Sequence, residues 1–137
     1  MKTKKTVQQP KVDLKKIGWI LRIGLFGTFL GHGIFALQLK QRFLEMLAAM
    51  TGITGSLADK LMYTIGAVDV VTAILAILKP IRILLIYAAV WGFMTAVARP
   101  VAGDPIWDFV ERWANWAVPL ALLYIRGFPK NRKELFS

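Results

Sequence analysis

The 137-residue chain contains no cysteine and only one histidine. Without cysteine, disulfide bonds, thiolate metal ligands and cysteine nucleophiles are excluded. A haem held by two histidines is excluded because His32 has no second histidine to act with it. The sequence also lacks a glycine-rich phosphate loop, a metal-binding cluster and a nucleophile with a base beside it. We therefore expect no metal site and no enzyme that acts alone.

Acidic residues are also scarce, with 8 Asp and Glu against 18 Lys and Arg. In a soluble protein a net charge of +10 would suggest nucleic acid as a partner. Here most of the basic residues gather outside the hydrophobic segments, so we expect membrane topology and no nucleic acid. The sequence divides into a basic cytoplasmic arm (1–16), a membrane domain (17–126) and a basic cytoplasmic tail (127–137).

Hydrophobic residues make up 56% of the chain, which is typical of a membrane domain. Four segments approach the length of about 20 residues that crosses a bilayer core: 17–37, 57–78, 81–98 and 106–126. Residues 37–50 are too short and too charged to span, and their pattern predicts an amphipathic surface helix. The predicted fold is an all-α integral membrane protein, a four-transmembrane-helix bundle with a short amphipathic helix between helices 1 and 2.

The distribution of basic residues predicts the orientation of this bundle. With the N-terminus in the cytoplasm, thirteen Lys and Arg fall on the inner side and five on the outer side. The positive-inside rule then places both termini in the cytoplasm.

Small residues predict which helix faces pack together, because close backbone approach drives helix association in lipid. Helix 1 carries Gly24, Gly27, Thr28 and Gly31 at helical spacing. Helices 2 and 3 carry similar stripes, which comprise Gly66, Asp69, Ala73 and Ala76, and Ala88, Gly92, Thr95, Ala96 and Arg99. We expect the three stripes to face one another.

Asp69 lies near the middle of the second predicted span. A carboxyl group at this depth costs free energy and is a functional-site candidate. Two interpretations stay open: a protonated side chain hydrogen-bonded to a neighbouring helix, or a group that carries a proton or contacts a ligand.

Polar residues also recur along the fourth predicted span. Asp108, Glu111, Arg112 and Asn115 occupy positions i, i+3, i+4 and i+7, which share one face of a continuous helix. Arg99, at the end of the third span, is expected to pair with Glu111 or Asp108.

The depths of several polar residues coincide at the outer side of the predicted bundle. At 1.5 Å per residue, His32, Tyr63 and Asn115 occupy one level. The predicted ligand-binding pocket therefore contains His32, Tyr63, Arg99, Glu111, Arg112 and Asn115. His32 itself has four open interpretations: a hydrogen-bonded core residue, a donor to a quinone headgroup, a proton carrier or an axial ligand.

Two stretches of the sequence carry a family resemblance: GLFGTFLGHGIFAL, and WGFMTAVARPVAGDPIWDFVERWANWAVPLALL. Together they resemble the DoxX-like family of small four-helix bacterial membrane proteins. The resemblance implies a four-helix bundle in the cytoplasmic membrane. Some members are subunits of thiosulfate:quinone oxidoreductase, and others associate with membrane oxidoreductase complexes. Covalent sulfur chemistry on a protein thiol is not available to this chain, which has no cysteine.

The sequence therefore predicts a small subunit or accessory protein of a quinone-linked redox complex in the bacterial inner membrane, with an outer-side polar pocket. Quinone is the possible cofactor, and the lipid bilayer and other membrane-protein subunits are the expected partners. The alternative is a non-catalytic assembly or stabilising protein whose polar cluster is purely structural. A third hypothesis, a small-solute transporter, is disfavoured because the sequence has no paired broken helices or internal repeat.

Overall fold

The computed structural model describes residues 11–137, and every regular element in this range is helical. The helices are α1 (Leu14–Leu37), α2 (Gln41–Thr51), α3 (Gly55–Leu78), α4 (Arg82–Val101), α5 (Ile106–Val110) and α6 (Ala114–Arg126). A single 3₁₀ turn, Glu134–Phe136, follows them. The predicted all-α fold is confirmed for this range.

Three helices, α1, α3 and α4, are long and apolar enough to cross a membrane. They contain 24, 24 and 20 residues. At 1.5 Å per residue each reaches at least the roughly 30 Å of a bilayer core. They correspond to the first three predicted spans and indicate a membrane protein in contact with lipid.

The fourth predicted span, 106–126, is divided between α5 and α6. The amides of Arg112 and Trp113 donate to carbonyls three residues back, those of Phe109 and Val110, at 3.2 Å each. Such 3₁₀ bonds tighten the backbone and end the regular α-helix. The 13 residues of α6 extend about 20 Å, less than the bilayer core. The structure thus leaves a fourth span unconfirmed.

The amphipathic segment predicted between the first two spans is α2. Met46 is its buried residue, whereas Gln41 and Glu45 are exposed. This helix lies where α1 ends and α3 begins, and we call this end of the bundle the α2 end.

The opposite end of the bundle holds the start of α1 and the C-terminal tail. The Asp13 carboxylate accepts the amides of Lys15 and Lys16 at 3.1 and 3.2 Å, so α1 begins inside the segment predicted as the arm. Residues 1–10 of that arm, with the lysines at 2, 4 and 5, lie outside the described residues. The guanidinium of Arg82 donates to the Gly127 carbonyl at 2.7 Å and to the Ser137 carbonyl at 3.3 Å. The tail therefore folds back against the start of α4.

The helices pack most extensively as two pairs, α1 with α3 and α4 with α6, whereas α3 and α4 contact each other sparingly. The buried core joins the two pairs. It comprises Leu25, Phe29, Ala73, Ala76, Leu85, Ala88, Leu122 and Leu123. At the α2 end the pairs leave a cavity between them.

Glycines determine the closest approach within each pair. A Cβ added at Gly33 would lie 3.0 Å from the Gly66 carbonyl oxygen, and one added at Gly66 would lie 2.9 Å from the Gly33 oxygen. A Cβ at Gly92 would meet the Asn115 backbone, with 2.7 Å to its carbonyl carbon. These contacts require the absence of a side chain.

The small residues of α3 and α4 are largely buried, as predicted, but Gly92 of α4 packs against α6 and not against the small residues of α1 or α3. On α1 the prediction is wrong. Gly27 and Gly31 have nothing within 4 Å of an added Cβ, and the buried positions of α1 are Leu25, Phe29, Gly33 and Ala36. The packing face of α1 includes bulky residues because Leu25 and Phe29 fill the core between the helix pairs.

Candidate functional site

A cavity of about 260 Å³ opens at the α2 end, between the two helix pairs and beneath α2. Every helix from α1 to α4 contributes to its wall, and Arg112 reaches it from the turn between α5 and α6. Pockets for small ligands begin at about 300 Å³, so this volume suits a ligand the size of a single ring.

The cavity wall is mostly apolar and rich in methionine. Met46, Met50, Met62 and Met94 all line it. The only other methionine in the chain is Met1. Methionine side chains are flexible and polarizable, so they adapt to the outline of a bound apolar group.

Two polar groups stand at the inner end of the cavity, towards the middle of α3 and α4. Asp69 is only 3% exposed, and its Oδ1 atom has no hydrogen-bond partner. The indole N–H of Trp91 faces the Asp69 carboxyl group without closing a hydrogen bond to it, and this nitrogen is also buried and unpartnered. The Tyr87 ring lies parallel to the Trp91 ring, with 6.3 Å between the ring centroids. A buried donor and a buried acceptor therefore both face the same space.

Three basic side chains, those of His32, Arg99 and Arg112, line the outer part of the cavity. The His32 ring packs edge-on against Phe43 of α2, with 6.0 Å between ring centroids. The Arg112 guanidinium donates to the Asp108 carbonyl at 2.9 Å and pairs with Glu111. The outer part of the cavity is therefore polar, in contrast to its apolar walls.

An ion-pair network holds α2 over the cavity. Arg42 pairs with Glu45 on its own helix at 2.7 Å and with Asp104, which follows α4. Asp104 also lies 3.7 Å from the Arg99 guanidinium. The hydrogen bonds to Glu45 and Asp104 raise the pKa of Arg42. Arg99 therefore lies beside Asp104 and does not pair with Glu111 or Asp108 as predicted, because the turn after α4 brings Asp104 closer.

The cavity brings together three of the six residues predicted for the pocket, His32, Arg99 and Arg112. It also includes Asp69, which the sequence placed in the membrane interior as a separate candidate. The predicted pocket and the cavity therefore share residues at the outer level of the bundle. The cavity extends further towards the middle of the bundle than predicted, as far as Asp69.

Tyr63, Glu111 and Asn115 do not line the cavity. Tyr63 is 48% exposed, and the Glu111 side chain is 62% exposed. The prediction for Glu111 and Asn115 assumed one continuous helix, and the turn at 111–113 separates their faces. Asn115 instead packs its backbone against Gly92.

Sequence reasoning missed Trp91 and all the methionines. A signal for them exists on α4, where the cavity-lining positions are Trp91, Met94, Thr95, Ala98 and Arg99. Their spacing of i, i+3, i+4, i+7 and i+8 defines one helix face. Such a face has no distinctive composition, so it is recognised as a cavity wall only when the opposing helices are in place.

Within residues 11–137, no three histidine or carboxylate side chains are grouped as a metal site would require. No protein-family model, curated protein or solved structure matches the chain. The cavity and its chemistry therefore provide the basis for assigning a function.

Proposed function

We propose that the chain is a small subunit or accessory protein of a quinone-linked redox complex in the bacterial inner membrane, and that its cavity holds the quinone ring. The observation that carries this proposal is an apolar cavity with hydrogen-bonding groups at both ends, Trp91 and Asp69 inside and the basic residues outside. Binding sites for small molecules combine apolar walls with a few convergent polar groups in this way.

The dimensions of the cavity support a quinone ring. Trp91 and Arg99 lie eight residues apart on α4, which corresponds to about 12 Å along the helix axis. A quinone ring with an oxygen at each end fits within this length. The Trp91 N–H would donate to the inner oxygen, and His32 or Arg99 would donate to the outer oxygen.

In such a complex, this chain and its partner subunits would have different roles. A bound quinone supplies the transfer of two electrons and two protons. The residues of this chain bind and orient the ring, and the methionine wall excludes water from it. With no cysteine and one histidine in the sequence, the redox centres belong to partner subunits.

We further propose a four-span topology with both termini in the cytoplasm. Residues 106–126, including the turn, number about as many as a membrane span needs, so α5 and α6 together form a broken fourth span. The excess of basic residues at the end opposite α2 favours that end as the cytoplasmic one. The cavity then opens in the outer half of the bilayer, and the resemblance to DoxX-like proteins supports the same arrangement.

One observation favours a non-catalytic assembly protein as a second candidate. Most charges around the cavity are paired with one another, Arg42 with Glu45 and Asp104, and Arg112 with Glu111. Such a network also holds a bundle together without any ligand. In this case the protein would stabilise a partner complex through its lipid-facing surfaces.

Purification from native membranes in mild detergent distinguishes the two candidates. Mass spectrometry of the purified full chain would measure bound quinone and identify partner subunits. For the quinone-linked role, we expect quinone in near-equimolar amount with the wild type and much less with His32→Ala. Tyr63→Phe is the control, since this exposed side chain does not line the cavity. Partner subunits without quinone, and with no effect of His32→Ala, would favour the assembly protein.

A further inference from the structure

Three arginines from three helices lie together at the end of the bundle opposite α2. Arg126 is the last residue of α6, and its side chain is exposed. The guanidinium groups of Arg22 on α1 and Arg82 on α4 lie near enough to repel it. The Arg82 guanidinium is directly beside this residue, since it donates to the Arg126 carbonyl at 2.7 Å. We call these three residues the arginine cluster. Like charges at close range cost free energy unless an anion lies among them.

The acidic side chains at this end are occupied elsewhere. Only two of the eight acidic residues of the chain, Asp13 and Glu134, belong to the elements found here. The Asp13 carboxylate caps α1 and lies 3.7 Å from the Lys16 ammonium group. The Glu134 carboxylate accepts the backbone amide of Lys130 at 2.8 Å and the side-chain amide of Asn131 at 3.0 Å. The arginine cluster therefore has no side-chain carboxylate of its own.

Two of the three arginines keep donors for an anion. Arg22 uses Nε and Nη2 on the carbonyls of Ala76 and Ile77 at the end of α3, and its Nη1 has no partner within residues 11–137. Arg82 uses all three nitrogens on acceptors of the tail. The Arg126 guanidinium makes no hydrogen bond or ion pair in the described range, so its whole fork is open. Such a fork matches two oxygens of a phosphate group.

The surface beside the arginine cluster is apolar and exposed. Arg22 reaches the end of α3 from the third turn of α1, so about two turns of α1 lie beyond α3. Leu14, Trp19 and Ile20 are exposed in these turns, and on α6 the Tyr124 ring is exposed as well. Aromatic rings next to basic residues are typical of the membrane interface. The surroundings therefore suit an anion that also has an apolar part.

We propose that the arginine cluster binds the phosphate group of an anionic phospholipid, whose acyl chains lie along the exposed apolar surface of α1. Arg126 holds two phosphate oxygens, Arg22 adds one donor and Arg82 adds positive charge. Basic pockets between the ends of membrane helices bind lipid headgroups in this way. Inorganic phosphate carries the same charged group but has nothing to cover the apolar surface. The site lies at the other end of the bundle from the cavity, so this inference does not rest on the proposed function.

The test compares two lipids with identical acyl chains, dioleoylphosphatidylglycerol and dioleoylphosphatidylcholine. Native mass spectrometry of the purified full chain in detergent measures the Kd of the first bound lipid. A basic residue near an anionic headgroup typically changes the affinity by roughly fivefold. We therefore expect the wild type to bind phosphatidylglycerol at least about fivefold more tightly than phosphatidylcholine. Arg126→Gln should weaken phosphatidylglycerol binding by about fivefold and leave phosphatidylcholine binding unchanged.

Arg132→Gln is the matched control, because it removes the same charge from an exposed position of the tail. Arg132 is not among the charges that reach Arg126, so its loss should change either Kd by less than about twofold. Size-exclusion chromatography verifies the folding of each variant. If Arg126→Gln fails to fold, Arg126→Lys replaces it, and we expect at least about a twofold loss because an ammonium group has no planar fork.

Three results would overturn the inference. The first is equal binding of the two lipids by the wild type. The second is an equal loss of phosphatidylglycerol binding in Arg126→Gln and Arg132→Gln, which would show attraction to the whole basic end. The third is complete displacement of the lipid by millimolar inorganic phosphate, whereas we expect the lipid to stay bound. The cavity takes no part in these measurements, so this inference and the proposed function fail independently.

Discussion

Gly33 of α1 and Gly66 of α3 contact each other through their backbones, with no room for a side chain at either position. We predict that Gly33→Ala and Gly66→Ala each destabilise the protein by about 1–3 kcal/mol, because overpacking forces the helices apart. Thermal unfolding in detergent measures the effect. The control is Gly31→Ala, since an added Cβ there meets nothing within 4 Å. Equal stability of the Gly33 and Gly31 variants would contradict this helix contact.

Asp69 is predicted to contribute nothing to the stability of the ligand-free protein. Its Oδ1 atom is buried without a partner, so replacing the carboxyl group with an apolar side chain removes an unsatisfied group. We expect Asp69→Leu to leave the unfolding temperature unchanged or to raise it. A clear decrease, larger than that caused by loss of a buried hydroxyl group from the same helix in Thr72→Val, would show that the carboxyl group holds the helices together, the structural interpretation that the sequence left open.

We predict that the two ion pairs of Arg42, with Asp104 and with Glu45, contribute unequally to holding α2 in place. The Asp104 side chain is 18% exposed and contacts both Arg42 and Arg99, whereas the Glu45 side chain is 45% exposed and pairs with Arg42. Exposed ion pairs contribute little to stability, and loss of a shielded partner leaves charged groups unsatisfied. Asp104→Ala should therefore increase hydrogen exchange in Gln41–Thr51 more than Glu45→Ala does. Mass spectrometry of the exchanged protein measures this difference, and equal exchange in the two variants would contradict it.

A bulky side chain placed in the cavity is predicted to block ligand binding while the fold is retained. Ala98 lines the cavity on α4 and is only partly buried, so Ala98→Phe fills the space that a ring would occupy. We expect its affinity for trimethylhydroquinone, measured by isothermal titration calorimetry, to fall at least about tenfold, since the ring loses its contacts. Val90→Phe is the matched control, on the same helix but 59% exposed and outside the cavity. Undiminished binding by Ala98→Phe would place the ligand elsewhere.

Hydropathy was sufficient to predict α1, α3 and α4, because about 20 consecutive apolar residues in a helix are a strong local signal. The break at 111–113 was not predictable from local signals, since these three positions contain neither glycine nor proline. It accompanies the close packing of Asn115 on Gly92 and the bond from Arg112 to the Asp108 carbonyl. Both contacts depend on the assembled bundle.

The candidate site was predictable only in part, because its walls also depend on how the helices pack. Depth along a helix follows from residue number, so His32 and Arg99 were placed at about the correct level. Rotation about the helix axis depends on which neighbours pack against each face. On α1 the sequence favoured the glycine stripe, whereas Leu25 and Phe29 fill the core. The position of Trp91 opposite Asp69 depends on the relative rotation of α3 and α4, which one sequence does not contain.

The methionine wall makes the cavity unusually accessible to spectroscopy. Because every methionine except Met1 lines it, isotope labelling of methionine methyl groups introduces NMR probes at Met46, Met50, Met62 and Met94 without any mutation. Methyl resonances are sensitive to nearby aromatic rings, so a ring entering the cavity would shift these four signals and leave that of Met1 in place. A single labelled amino acid therefore reports on the occupancy of this site, even in a detergent micelle crowded with other apolar groups.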